Sequence, residues 1–274
     1  MSLVERLIKC AITHEGGNDN FLNIMYLSVI YILWIRQLKR YIRSRARIVS
    51  SIAQPLLFLV ALGFGFGPIY AKAGGGDYMQ FLAPGIITMS ILFTAMFAGI
   101  EVVWDKQFGF LKETLVAPVP RIAIMFGRTL GGATVAVLQG FVVFLVTLFL
   151  GFRPSSIGMI LPALFFMFLI ALLFTAFGTA IASRIDDMQA FPLVMNFLTM
   201  PMFFLSGALF PINQLPATLA FVVHLNPLSY GVDAVRGSLV GLSHFGLTLD
   251  LGVLLLCAVV TISIGAYLFK KIEV

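Results

Sequence analysis

Charge is what this sequence has least of. Only 11% of its 274 residues are Asp, Glu, Lys or Arg, against about 25% in ordinary soluble domains, which excludes a water-soluble fold. Cysteine is almost absent as well. Cys10 and Cys257 stand far apart, so there is neither a disulfide framework nor CxxC metal spacing. His14, His224 and His244 form no HxxxH or HxH pair, which removes the usual histidine metal sites. No G-x-x-x-x-G-K-[ST] loop occurs, nor any Gly–Lys dipeptide, so the chain does not hold ATP by that device. The Gly74–Gly76 triplet reads as a flexible turn. An integral-membrane lipid-modifying enzyme would need His, Asp, Glu or Cys clustered at one interface, and no cluster is visible.

Long uncharged runs are abundant. No charged residue falls within 48–71, 78–100, 129–152, 154–183, 188–232 or 251–269. A helix needs about 20 apolar residues to cross a hydrocarbon core of roughly 30 Å, and a mid-helix Lys, Arg or Asp costs about 2.5–3.5 kcal/mol on insertion scales. The pattern predicts an all-α polytopic membrane protein with six spans at 48–70, 80–103, 129–150, 157–182, 189–210 and 249–269. Ion-coupled carriers keep ionisable groups inside such spans; their absence from these runs argues against that class.

The basic residues set the orientation. With six spans and the N-terminus inside, only Lys72, Arg153 and Arg236 of the 18 Lys and Arg fall outside. The remaining fifteen are cytoplasmic, as retained loops require, so both termini are expected in the cytoplasm of a cell membrane. The net charge of +6 is thereby assigned to topology and to lipid, not to nucleic acid. The run 24–35 is followed by a basic cluster instead of a cleavage site, which argues against a cleaved signal.

Two segments flank the spans. In 31–47, helical phase puts Tyr31, Trp34, Ile35, Leu38 and Ile42 on one face. Arg36, Arg40, Arg43 and Arg47 fall opposite. This describes an interfacial amphipathic helix within an N-terminal region, 1–47, that precedes a transmembrane domain, 48–274. Between 211 and 248, Pro211, Asn213, Pro216, Asn226 and Pro227 interrupt any crossing. The pieces 215–225 and 228–240 are read as two short helices re-entering the outer half of the bilayer. Asp233 and Arg236 are spaced to pair there.

The longest hydrophilic stretch between spans is 104–128. A helix over 106–116 would align Phe108, Leu111 and Leu115, rimmed by Lys106, Lys112 and Glu113, before Pro118 and Pro120 stop it. Such a helix suits a partner's groove. Glu101 is placed to pair with Arg128 or with a cation of the amphipathic helix. Gly127/Gly131, Gly178/Ala182 and Gly63/Gly65/Gly67 permit close helix approach. Phe58, Phe93, Phe97, Met195 and Phe197 offer an adaptable apolar lining.

Three blocks carry a family resemblance: KETLVAPVPR ending at Arg121, FFLSGALFPINQLP over 203–216, and LNPLSYGVDAVRG over 225–237. In order and position they resemble the permeases of ABC-2 type transporters, with the drug and lipo-oligosaccharide exporter branch nearest in look. The resemblance implies a permease dimer, most simply a homodimer. Two copies of a separate ABC ATPase would bind the ATP and Mg, and this chain would carry no cofactor. It implies a coupling helix with Phe108, Leu111, Lys112, Glu113, Thr114, Leu115 and Arg121 at the ATPase. An external gate hairpin would contain Pro211, Pro216, Asn226, Pro227 and Tyr230. Export of an amphipathic drug, lipid or lipid-linked saccharide would follow the first, second and fifth spans.

Overall fold

The computed structural model describes residues 19–72, 76–109, 121–212 and 216–270. All regular elements among them are helices: α1 Asp19–Arg43, α2 Arg45–Lys72, α3 Tyr78–Phe97, α4 Ile100–Gln107, α5 Arg121–Phe149, α6 Ile160–Ala182, α7 Ala190–Phe204, α8 Ala217–Leu225, α9 Pro227–Val240 and α10 Leu247–Lys270. A 3-10 turn, Ile157–Met159, leads into α6.

Among the described residues, five stretches are long and apolar enough to cross a membrane: Ile48–Lys72, Tyr78–Gln107, Arg121–Phe149, Ile157–Ala182 and Leu247–Lys270. The second is the axis of the bundle, 72% buried against 17% for the first and the last. Helix α3 packs on α2, α5, α6, α7 and α9. Helices α2 and α10 flank the bundle with exposed apolar faces, including Phe64 and Ile69 on one and Leu256 and Val259 on the other.

The sixth expected span, 189–210, is shorter than its apolar run. Helix α7 has 15 residues, about 22 Å at 1.5 Å per residue, and irregular backbone follows through Phe210. Its last carbonyls are satisfied from elsewhere. The Asn226 amide donates to Met202 O at 2.6 Å and Leu205 O at 3.1 Å. The Arg236 guanidinium donates to Gly207 O at 3.0 Å and Ala208 O at 3.4 Å. Because those side chains stand in for the next helical turn, the helix can stop in an apolar setting where a bare carbonyl would cost several kcal/mol (about 2–7 for a buried polar group).

Glycines fix the tightest crossings. A Cβ on Gly99 would strike the backbone of Gly178, and one on Gly178 the backbone of Met96, so the α3–α4 junction and α6 meet backbone to backbone. Gly127 sits on Ile30 and Leu33, and Gly131 on Gln37, which lets α1 lie along α5. Of the 63/65/67 set, only Gly63 meets a neighbour, the Met79 side chain; Gly65 and Gly67 face open space.

Candidate functional site

At one end of the bundle two acids on α4 face two arginines on α1. The spacing 101/105 matches the spacing 36/40, and the helices run so that Glu101 meets Arg40 at 3.0 Å and Asp105 meets Arg36 at 3.2 Å. Asp105 also takes a 2.6 Å bond from Arg128 of α5, both groups being only 4% exposed. Residue Glu101 therefore pairs with the amphipathic helix, and Arg128 goes to Asp105 instead. Next to them Lys106 donates to Ser183 O at 2.6 Å and to Asp186 at 2.9 Å, tying α4 to the turn after α6. On the other side of 110–120, Arg121 donates to Lys270 O at 2.7 Å. Both roots of that segment are thus bolted to α1, α5, α6 and α10.

This arrangement places some of the expected coupling residues. Phe108 closes α4 and is 66% exposed; Arg121 opens α5. Leu111, Lys112, Glu113, Thr114 and Leu115 lie outside the described residues. Asp105 was not foreseen, although the matched i,i+4 spacings of 36/40 and 101/105 were a readable signal.

Above the charged cluster lies a cavity of about 510 Å³ between α1, α2, α3, α4, α5 and α7. Helix α1 reaches it with a face the amphipathic reading overlooked. Leu33, Gln37 and Tyr41 are buried against α5, while Tyr31 and Ile42 are exposed. The helix is three-sided, with a protein face between its apolar and basic faces. Trp34 Nε1 donates to Thr134 Oγ1 at 2.9 Å, and the Tyr41 and Ser51 hydroxyls both donate to Gln139 Oε1. Phe93 and Phe97 line the cavity; Phe58, Met195 and Phe197 do not.

At the opposite end α9 is not an exposed loop helix. Residues 231–239 are all buried, packed on α3, α6 and α10, whereas α8 buries only Val223. Asn226 caps α9 by accepting from Leu228 N at 3.0 Å, with Pro227 in its first turn. Tyr230 OH donates to His224 O at 2.9 Å, and its ring lies 4.7 Å from that of Phe245. Pro216 precedes α8, and Pro211 is half-buried after α7. So Asn226, Pro227 and Tyr230 share one junction, with Pro211 and Pro216 bracketing its approach.

Asp233 and Arg236 make no ion pair with each other among the described residues. Asp233 accepts from Ser243 Oγ, His244 N and Phe245 N at 2.8–2.9 Å. Arg236 caps the end of α7 and stacks 3.9 Å over the Phe81 ring. Each charge is spent on backbone, which is how α9 tolerates burial. Asp250, in the first turn of α10, is fully buried beside Asp233, with no cation or backbone N–H donating to its carboxylate among the described residues. The expectation of a bundle without buried ionisable groups is therefore corrected. They lie at the span ends that the charge-free runs leave out, and all but Asp250 are neutralised by partners.

The family model described as ABC-2 type transporter matches residues 28–240. The chain belongs to the ABC-2 type transporter family. The match runs from α1 to the end of α9 and takes in the charged cluster, the cavity and the hairpin. Curated relatives of this permease extend over most of its length. It is 28% identical over 273 residues to the putative transport permease ycf38 of Cyanophora paradoxa, covering 94% of this chain and 93% of that one. Nodulation protein J of Rhizobium leguminosarum bv. viciae is 28% identical over 228 residues, covering 82% and 87%. The inner membrane transport permease YadH of Escherichia coli K12 is 27% identical over 235 residues, covering 84% and 90%. The permease is thus a multi-pass membrane protein of a transport family, and its helices match that class.

Proposed function

We propose that this permease is the membrane subunit of an ATP-driven exporter, working as a homodimer on two copies of a separate ABC ATPase that bind the ATP and Mg. The basic end of the bundle faces the cytoplasm of a cell membrane, with both termini on that side. Helix α7 and the irregular backbone after it complete a sixth crossing. The segment around 108–115 docks on the ATPase, the α8–α9 hairpin closes the outer end, and an amphipathic drug, lipid or lipid-linked saccharide is moved.

The observation that supports this most is the anchoring of both roots of 110–120. A force applied there reaches α1 through Asp105 and Arg36, α6 through Lys106, and α10 through Arg121. A solvated linker needs no such ties. Co-purification with the ATPase encoded nearest this gene, followed by ATP turnover in lipid with and without the permease, tests the reading. A complex whose turnover responds to amphiphiles is expected; lack of association with any ATPase refutes it. Within such a complex, Leu111→Asp or Leu115→Asp is expected to stop transport while membrane insertion persists. Normal transport by those variants removes the coupling assignment.

Asp250 favours a second reading, an ion-coupled carrier, because a buried acid with no cation partner among the described residues is what such carriers use. Substrate uptake driven by a proton gradient without nucleotide would single it out.

A further inference from the structure

Two carboxyl groups lie together out of water where α9 and α10 meet. Asp250 is fully buried and Asp233 is 2% exposed, and their side chains are in hydrogen-bond contact. We propose that the two carboxyl groups bind one proton between them, and that this proton latches α10 to α9 at the end of the bundle away from the charged cluster. The proposal goes beyond the transport reading and holds for either energy source.

The donor count carries it. An ionised carboxylate only accepts hydrogen bonds, whereas a protonated one has a single O–H to give. The contact between the two groups is therefore a hydrogen bond only when one of them holds a proton. Asp233 is the accepting side: Ser243 Oγ donates to it at 2.9 Å, and His244 N and Phe245 N at 2.8 Å, and such donors favour the charged form. Asp250 has neither a cation nor a backbone N–H among the described residues, so the proton is given from Asp250 to Asp233. Two charges there would add mutual repulsion to two desolvation costs. Sharing one proton is the usual escape for carboxyl groups in contact.

The other ionisable groups around the pair are engaged elsewhere or stand off from it. Helix α10 packs on α9, α6 and α5. On α9, Tyr230 OH donates to His224 O and Arg236 to the carbonyls after α7. Helix α6 has no ionisable residue, and Arg153 in the loop before it is exposed. The charged residues of α5, Arg121 and Arg128, bond Lys270 O and Asp105 at the opposite end. The His224 and His244 rings stand edge-on to Phe245, and Cys257 follows about two turns along α10. Ser243 and His244 are exposed, so the turn that Asp233 holds is also the cover over the proton. On the orientation proposed above, that cover faces outside, and the latch responds to external acidity.

Infrared spectroscopy of the purified permease in lipid nanodiscs reads the proton directly. At about pH 7 a free aspartate holds a proton in roughly one molecule per thousand, so a carboxylic-acid carbonyl band at that pH is not its signature. The parent should show such a band, Asp250→Asn should lose it, and Asp187→Asn, at an exposed acid, should keep it. The latch is read by deuterium uptake at the amides of 243–246, in a His224→Gln/His244→Gln background. At alkaline pH the pair loses its proton, and uptake should be at least about tenfold faster than in Asp250→Asn, whose amide keeps a donor toward Asp233. Tyr230, Arg236 and Cys257 are common to both proteins, so only the difference between them is read.

Absence of an acid band in the parent overturns the proposal whatever the variants do. A band that survives Asp250→Asn overturns it too, as does equal uptake by parent and variant at alkaline pH. Neither measurement contains an ATPase or a gradient. Their failure would leave the transport reading standing, and failure to recruit an ATPase would leave a bound proton standing.

Discussion

Replacing Asp105 by Leu strands Arg128, a guanidinium 4% exposed whose carboxylate partner lies 2.6 Å away. Removing one member of a buried pair costs about 3–5 kcal/mol, because the other charge stays desolvated. The same carboxylate also holds Arg36, but that side chain is 39% exposed, so water takes over and the loss there is within about 1 kcal/mol. Arg128→Met added to Asp105→Leu removes the stranded charge, and stability should return to within about 1–2 kcal/mol of the parent. Adding Arg128→Met is therefore expected to recover about 2–3 kcal/mol of the Asp105→Leu loss. Arg36→Gln alone should shift stability by less than about 1 kcal/mol. Unfolding in mixed micelles, followed by circular dichroism, reads the parent and the four variants. The reasoning is refuted by a double variant no more stable than Asp105→Leu, or by Arg36→Gln proving as damaging as Arg128→Met.

Gly99→Ala pushes a Cβ into the Gly178 backbone and should lower stability by about 1–3 kcal/mol in thermal unfolding. Gly65→Ala meets nothing within 4 Å and should be neutral or gain up to about 1 kcal/mol; equal effects at both positions would discard the crossing argument. Asn226→Asp keeps the cap on Leu228 but loses both donors to the end of α7, so it should destabilise by about 1–3 kcal/mol, as Asn226→Ala does. Full tolerance of Asp there would show that the carbonyl contacts do not matter. Arg121→Ala should leave unfolding within about 0.5 kcal/mol of the parent, yet reduce the response of ATP turnover to substrate in the complex. An unchanged response would remove the α5–α10 tie from the force path.

What could be read from the chain beforehand was whatever one segment decides alone. The uncharged runs located the long helices because excluding charge from hydrocarbon is a local requirement. Gly178 and Gly127 were legible as contact points since only a missing Cβ permits backbone approach. The interfacial helix was half legible. Its apolar and basic faces stand out by phase, but the buried Leu33–Gln37–Tyr41 face depends on α5 being there to cover it. Asp233 and Arg236 were assigned to each other because they are neighbours in sequence. Their true partners, the 243–245 turn and the carbonyls after α7, become available only when α9 inserts into the bundle. The early end of α7 was hidden for the same reason, since its terminating donors come from residues 226 and 236.

That borrowed ending has a mechanical meaning. A helix whose terminal carbonyls are gripped by an amide and a guanidinium from another segment is welded to that segment. Pulling the hairpin away on its own would expose four carbonyls to hydrocarbon at once. The end of α7 and the start of α9 must therefore travel as one rigid piece. Bending is left to the joints outside the weld, and left-handed Gly241 and Gly246, on either side of the turn held by Asp233, are the nearest places where the chain can give.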